Sequence, residues 1–496
     1  MILTGAAMKA LEERAFADGI TAEALMDKAG AKIAAAVEQF FPFPGRCLVF
    51  FGKGHNGGDG LAAARHLAEW GWEIELRSAF PEDRWAELTR KKYEELRQEI
   101  SSNSHSEGSG HSHPLIVLDS LLGVGAGGPL REPIRSATRE INRLRFSGPA
   151  RIVALDLPTG LDTDTGIADE DGVIADYTFS VGFAKSGLLA DGATRFVGRL
   201  AVLPLEELSR RVFQGPSDTV ATAALLAPLL PRRGFDTHKG ECGRVAIVAG
   251  SRGLTGAARL ASEACVRAGA GLISLFVPED IYPVLAVATV PEVMVHPVKS
   301  YLEVLDFRSD VIAIGPGLGQ SRAGEVRQVI DRATQPMVVD ADALNILSES
   351  PYLLDRCAGP RLLTPHPGEM ARLDPESKNR PRLETIQAFT KRWPHTLLLK
   401  GARTVIGQRG QSASYNTTGT PGMATGGMGD VLTGVCAALL GQKLAPYDAA
   451  RVGAWVCGRA AEIAITEGGD SEESLTPTSL MHHLGQAFEE LRAGCW

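Results

Sequence analysis

Two glycine-rich stretches and a few isolated oxygen-bearing residues hold the chemical potential of this 496-residue chain. In "GTPGMATGGMGDVLTGVCAALLG", Gly419 to Gly441, five glycines and Asp430 precede an apolar helical run. Glycines there bring backbone N–H groups close to a bound phosphate, and the start of a helix adds partial positive charge. Asp430, at the mouth of that helix, suits a base that takes a proton from a substrate hydroxyl as the hydroxyl meets a terminal phosphoryl group. The alternative for this residue is a helix cap. The chain contains no GxxxxGK[ST], so this is not a P-loop.

The other stretch, "FGKGHNGGDGLAAARHL", formally matches GxGxxG. The acidic partner usual about 20 positions on is not clearly placed, because "EIELR" ends on Arg77. More telling is the continuation "HNGGDG", where Asn56 and Asp59 stand among glycines that let a ligand approach the backbone. Asp119 follows "LIVL", Asp156 follows "RIVAL", and Thr159 in "DLPTG" adds a hydroxyl. Ligands of an open parallel sheet sit beyond the carboxyl ends of its strands, so Asn56, Asp59, Asp119 and Asp156 are expected to converge there. An amide carbonyl, a carboxylate and a hydroxyl make an oxygen-only set, which suits a hard cation rather than zinc. The bland alternative is that these aspartates cap helices and organise turns, as in "DTDTG".

The elements that must position these groups are legible from periodicity. Leu25, Ala29, Ile33, Val37 and Phe40 recur at helical spacing before Pro42. Cys47 to Phe51, the first glycine loop, "LAAARHLAEWG" and "WEIELR" then read as a βαβ unit. Apolar runs at 115–119 and 151–156, "YTFSVGF" and "RLAVLPL" extend this into a helix-covered parallel sheet. The pattern loosens from about Leu205 to Gly234, around Pro216, Pro228 and Pro231, and the α/β alternation restarts at "GRVAIVAGS". The expected class is α/β, with two three-layer αβα sandwich domains at 1–212 and 235–496 joined by a linker at 213–234. "SSNSHSEGSGHSH" (101–113), with His105, His111 and His113, reads as a flexible surface loop.

Composition narrows the function classes. A 44% hydrophobic and 22% charged chain with net charge −8 and no basic block offers no nucleic-acid groove. No run of 18 apolar residues and no signal-like start point to a cytoplasmic protein without a membrane partner. Cys47, Cys242, Cys265, Cys357, Cys436, Cys457 and Cys495 are scattered without a CxxC pair, as in a reducing compartment.

The ordered set "GKGHNGGDGLAAARHL", "LDSLLGVGAGGPLREPI" and "ALDLPTGLDTDTG" resembles the NAD(P)H-hydrate epimerase family and covers most of residues 1–205. The resemblance implies a Rossmann-like domain in which Asn56, Asp119 and Thr159 bind a potassium ion. It also implies that the hydrated nicotinamide nucleotide touches His55, Asn56, Gly57, Gly58 and Asp59, the loop Gly123, Val124, Gly125, Ala126, Gly127, Gly128 and Pro129, and Asp156. His55 stands where the family usually has Asn, and Thr159 where it usually has Ser; Thr keeps the hydroxyl.

"HKGECGRVAIVAGS", "GPGLG", "VVDADALNIL", "LLTPHPGE", "KGARTVI" and "NTTGTPGMATGGMGD" resemble the ADP- or ATP-dependent NAD(P)H-hydrate dehydratases, whose fold is ribokinase-like. Here the resemblance implies that Gly317, His366 and Asp430 lie near the hydrated nucleotide. Lys400, Gly401, Ala402, Arg403, Thr404 and the loop Asn416 to Gly429, with Gly426, Gly427 and Gly429, would hold ADP or ATP with Mg2+. His366 by itself, between prolines, reads as a structural turn residue. The similarity to bacterial fusions favours ADP, and a homo-oligomer is expected; NADH against NADPH hydrate stays open.

A kinase-like cradle and a dehydratase are chemically compatible. Hydroxide is a poor leaving group, since the pKa of water is about 15.7. Phosphate, with a second pKa of about 6, departs far more readily. Phosphorylating the hydroxyl, with Asp430 as base, therefore prepares its loss. Two epimers arise on hydration and a stereospecific dehydratase repairs one, so an epimerase in the same chain, with Asp156 shuttling a proton, recovers the other. The competing readings are a small-molecule kinase with a regulatory first domain, and a first domain that serves only as a scaffold.

Overall fold

The computed structural model describes residues 1–102, 114–211 and 217–496. The histidine-rich stretch therefore lies outside the described residues from 103 onward, as does the expected domain end at 212. The chain divides into two compact units, Met1–Val220 with Trp496, and Ala221–Cys495. Inside the stretch read as a linker, Ala223, Leu226 and Leu230 are buried in the second unit's core, because they are the apolar residues of a short helical segment.

In the first unit, parallel strands run in the order Glu73–Ser78, Arg46–Phe51, Leu115–Ser120, Arg151–Leu155, Tyr177–Val181 and Arg199–Leu203. Side chains alternate across a strand, and both faces are buried here. Cys47, Val49 and Phe51 pack with Ile33, Val37, Leu61 and Leu67 on one side, and Leu48 and Phe50 pack with Ile134 and Ile141 on the other. Because the strands are parallel, Gly52–Asp59, Asp119–Pro129 and Asp156–Thr159 all leave the sheet at one edge.

The second unit's strands follow the order Val293–Val298, Leu272–Pro278, Arg244–Val248, Val311–Ile314, Met337–Val339, Arg361–Leu363 and Thr396–Leu399, all parallel. Val405–Gly407 and Ser414–Tyr415 then continue it antiparallel. The helix Met428–Gly441 is buried from Val431 onward, and it lies so close to the helix Thr255–Arg267 that a Cβ on Gly434 would collide with the Ala261 carbonyl. Among the described residues, no helix is long and apolar enough to cross a membrane.

Candidate functional site

At the first sheet edge, the backbone of Leu121–Gly123 ties the oxygen donors together. Thr159 donates from its amide to Asp119 Oδ2 at 2.8 Å and from Oγ1 to Asp119 Oδ1 at 2.7 Å. The Leu122 amide donates to Thr159 Oγ1 at 3.2 Å, and the Leu122 carbonyl accepts from Asn56 Nδ2 at 2.9 Å. Burial pushes the Asp119 carboxyl up to about 6, against the bonds from Thr159 and Leu121 that favour its charge. Asn56, Asp119 and Thr159 are thus brought together, all buried.

The glycines of "HNGGDG" have a different reason from the one expected. Gly57 and Gly58 face the protein: a Cβ on Gly57 would collide with the Gly52 carbonyl, and one on Gly58 with Met26. They let the helix His55–Glu69 seat against its own strand and a neighbouring helix. By contrast, Gly125, Gly127 and Gly128 have open space where a Cβ would stand, and Gly125 and Gly128 hold φ of 109° and 82°. His55 is exposed at the start of the helix.

Asp156 follows its strand in the left-handed region, φ 69°, with its amide bonded to the Phe179 carbonyl. Its Oδ1 accepts from the ammonium of Lys185 and from the Val181 amide. Lys185, which the sequence reading passed over, is fully buried and also donates to Ser180 Oγ (3.2 Å) and the Val181 carbonyl (2.9 Å), so its side-chain nitrogen has three acceptors. Asp59 is raised well above the usual carboxylate range, by burial first and then by the charges of Asp156 and Glu12, with Lys185 opposing.

In the second unit, the cap of the helix Met428–Gly441 is Gly427 in the left-handed region, φ 94°, so Asp430 lies inside the first turn and caps nothing. Its carboxylate takes no hydrogen bond from the described residues. Burial pushes it up to about 6, the charge of Asp340 adds to this, Lys400 opposes it and Asp342 adds a little. A base with that affinity is ionised at neutral pH yet still takes a proton readily. Lys400, expected beside the adenine nucleotide, directs its ammonium at Asp340 Oδ1 (2.7 Å) and lies 3.8 Å from Glu369 Oε2. Burial works against that ammonium, but Asp340, Glu369 and Asp430 outweigh it and push its pKa up. Thr433 fixes the other Asp340 oxygen at 2.8 Å. A Cβ on Gly429 would stand 3.3 Å from Lys400 Nζ, so glycine leaves this cluster open toward Asp430.

Asp340 was also missed, although it carries the signal used for Asp119 and Asp156, an aspartate directly after an apolar strand run. His366 caps the helix Pro367–Leu373: its Nδ1 accepts from the Gly368 and Glu369 amides, while Glu369 accepts from the His366 amide at 2.8 Å. The acceptor role of Nδ1 places the ring proton on Nε2, and the ring is exposed. Gly317, φ 62°, sits against Leu254 and Ala257 and donates no space to a side chain.

The stretches 400–404 and 416–429 are clamped at one end and open at the other. Arg403 is buried, and its carbonyl accepts from Arg382 at 2.6 Å. Thr418 Oγ1 donates to the Trp455 carbonyl at 3.0 Å, and the Gly419 amide donates to Glu462 Oε1 at 2.7 Å. Glu462 pairs with the buried Arg459, which also holds Glu490 at 2.6 Å. Ala424 to Gly426 are exposed, and a Cβ on Gly426 would meet nothing. Breaking a buried ion network strands its remaining charges, so Arg459→Met is expected to destabilise the chain by about 3–5 kcal/mol in guanidinium unfolding. A loss under about 1 kcal/mol would show that the network does not hold the loop.

Comparison with known proteins follows the same division. A family model described as NAD(P)H-hydrate dehydratase matches residues 245–484, and one described as YjeF-related protein N-terminus matches residues 22–187. The chain is 37% identical over 94% of its length to the bifunctional NAD(P)H-hydrate repair enzyme Nnr of Moorella thermoacetica, covering 93% of that protein. It is 36% identical over 91% of its length to the Escherichia coli K12 protein of the same name, covering 87% of it. Among solved structures, the Bacillus subtilis ADP/ATP-dependent NAD(P)H-hydrate dehydratase co-crystallized with ATP/Mg2+ is similar at 28% identity, covering 55% of this chain and 98% of that one, with a TM-score of 0.49.

Proposed function

The chain belongs to the family of bifunctional NAD(P)H-hydrate repair enzymes, and from that membership we propose a division of labour between its two units. Residues up to about 212 interconvert the R and S hydrates of NADH or NADPH, and residues from about 235 dehydrate the S form at the expense of ADP or ATP. The observation that carries this reading is Asp430: a partly buried carboxylate without a capping duty, raised to about 6, at the mouth of a glycine cradle and beside the Lys400–Asp340 pair.

In the dehydratase step, Asp430 takes the proton of the hydrate's hydroxyl and the freed oxygen attacks the terminal phosphoryl group, expelling AMP from ADP, or ADP from ATP. The carbon–oxygen bond then breaks with its electron pair leaving on phosphate. The ring nitrogen's lone pair fills the vacancy, and loss of the adjacent proton restores the dihydropyridine. In this reading the exposed backbone of Ala424–Gly426 and the half-buried Gly429 take the phosphates, Lys400 supplies positive charge beside Asp430, and Mg2+ would accompany the nucleotide.

In the epimerase step, Asp156, hydrogen-bonded by Lys185, exchanges a proton with the substrate while the carbon–oxygen bond opens and recloses on the opposite face. The donors Asn56, Asp119 and Thr159 fit a potassium ion. Asn56 Oδ1 takes no hydrogen bond from the described residues, Asp119 Oδ2 takes one, and Thr159 Oγ1 keeps a lone pair. A cation held by them supplies fixed positive charge beside the crevice. All seven cysteines are free, which supports a reducing, cytoplasmic setting.

The test is one assay on the purified chain: mixed NADH hydrate epimers, with ADP or ATP in turn. Complete return of NADH absorbance, with one inorganic phosphate released for each NADH regained, is expected. A stable phosphorylated product would identify a kinase, and a nucleotide left uncleaved during turnover would eliminate the phosphorylated intermediate. Recovery that stops at one epimer would remove the epimerase, and exchange indifferent to replacing K+ by tetramethylammonium would remove the ion.

A further inference from the structure

The strand Glu73–Ser78 ends beside the first glycine loop, with Ser78 in register with Phe51. Where a parallel sheet binds a dinucleotide, the end of the second strand faces the adenosine ribose and carries an acid for a free 2′-hydroxyl or a cation for a 2′-phosphate. No carboxylate ends this strand, whose last residues are Arg77 and Ser78. Arg77 is already bonded to Glu75. Two other cations gather just beyond. Lys53 Nζ lies 5.4 Å from the centre of the Phe80 ring and the Arg84 guanidinium 4.9 Å from it, so one aromatic ring seats both charges. Both residues are exposed, and among the described residues neither pairs with a carboxylate.

The backbone under these cations is fixed. The Lys53 carbonyl accepts from the Ala86 amide at 2.9 Å and from Thr89 Oγ1 at 3.3 Å, and the fully buried Thr89 also donates to the Gly54 carbonyl at 3.1 Å. The Phe80 carbonyl accepts from Trp85 Nε1 at 2.9 Å and from Ser78 Oγ at 2.6 Å. Trp85 is itself buried, edge-on to Phe51 at 5.1 Å. The segment 85–89 therefore anchors both sides of the pair. A Cβ on Gly54 would meet nothing, so the backbone beside Lys53 lies open just before the helix His55–Glu69. Asn56 in that helix bonds to the Leu122 carbonyl, which places the cations at the outer end of the sheet edge that carries the oxygen donors.

On the epimerase reading of the first unit, we propose that Lys53 and Arg84, seated on Phe80, bind the 2′-phosphate of NADPH hydrate and make it the preferred substrate of epimer exchange. A phosphate monoester carries up to about two negative charges at pH 7. An unpaired ammonium and guanidinium give it charge-assisted hydrogen bonds that a 2′-hydroxyl does not exploit. The nicotinamide end then extends along the edge toward Asp156. The strands Glu73–Ser78 and Arg151–Leu155 are three positions apart in the sheet, about 14 Å at the usual strand spacing, a span that an extended dinucleotide covers.

The test follows exchange of NADPH hydrate and NADH hydrate epimers by chromatography, on the full chain without ADP or ATP, so that no dehydration competes. The unsubstituted chain is expected to show a KM for NADPH hydrate about tenfold below that for NADH hydrate, the size of one charge-assisted hydrogen bond. Lys53→Met/Arg84→Met is expected to raise the NADPH hydrate KM about tenfold, with kcat and both constants for NADH hydrate within about twofold. Lys53→Arg/Arg84→Lys, which keeps both charges, is expected to keep the preference. Adenosine 2′,5′-bisphosphate should inhibit exchange more strongly than 5′-AMP in the unsubstituted chain, and no more strongly in the Met variant. Equal loss with both hydrates would move the cations to the pyrophosphate and overturn the 2′-phosphate site, as would a preference that survives the Met pair. A chain that exchanges neither hydrate would instead overturn the epimerase reading, and this inference with it.

Discussion

Asp430→Asn is expected to lower dehydratase turnover by about 10²–10⁴-fold, the usual worth of a positioned base, with the KM of both substrates little changed. The amide has the shape of the carboxylate but cannot take the hydroxyl proton. In the unsubstituted chain, the base is active when ionised, so turnover should fall as the pH drops through about 6, where burial and Asp340 have placed this carboxyl. The variant's residual rate should lack that limb. Since Asp430 accepts no capping bond, the substitution removes chemistry without removing a cap, and the helix Met428–Gly441 keeps its Gly427 start. Full turnover in the variant, or a limb that persists, would move the base elsewhere in the cluster, and Asp340 would be the next candidate because it already shares Lys400 and Thr433.

Asp156→Asn should cost epimer exchange a similar about 10²–10⁴-fold, while leaving dehydration of the purified S hydrate at its ordinary rate. Asn tolerates the left-handed backbone found at this position, so the turn itself is preserved. The hazard is Lys185, a fully buried ammonium that would keep only Ser180 and Val181 as partners. Stranding such a charge can cost about 3–5 kcal/mol. The double variant Asp156→Asn/Lys185→Met separates the causes: a stable chain that still exchanges no epimers assigns the loss to the missing carboxylate. Exchange at the ordinary rate in either variant would reject Asp156 as the proton carrier.

Both roles depend on pairs that lie far apart in the chain. Lys400 reaches Asp340 across 60 residues, and Thr433 reaches it across 93. The strands Met337–Val339 and Thr396–Leu399 are separated in the sheet by Arg361–Leu363, so the ends that carry Asp340 and Lys400 are two strand positions apart. No spacing in the sequence announces that. Lys185 is hidden for a similar reason: it sits in a two-residue strand whose partner is Ile2–Leu3, and only the assembled sheet edge aims it at Asp156.

From residue order alone came the α/β class, the strand-end positions of Asp119 and Asp156, the hydroxyl of Thr159 and the glycine-rich loop before Val431. Apolar periodicity, Gly placement and the rule that parallel strands open their carboxyl ends to ligands are all local or one-dimensional properties. Which oxygen faces which nitrogen is not. Burial and charge pairing fall with distance in space rather than along the chain, so folding alone could decide that Asp430 caps nothing, that Gly57 and Gly58 serve packing, and that Lys185 bonds Asp156.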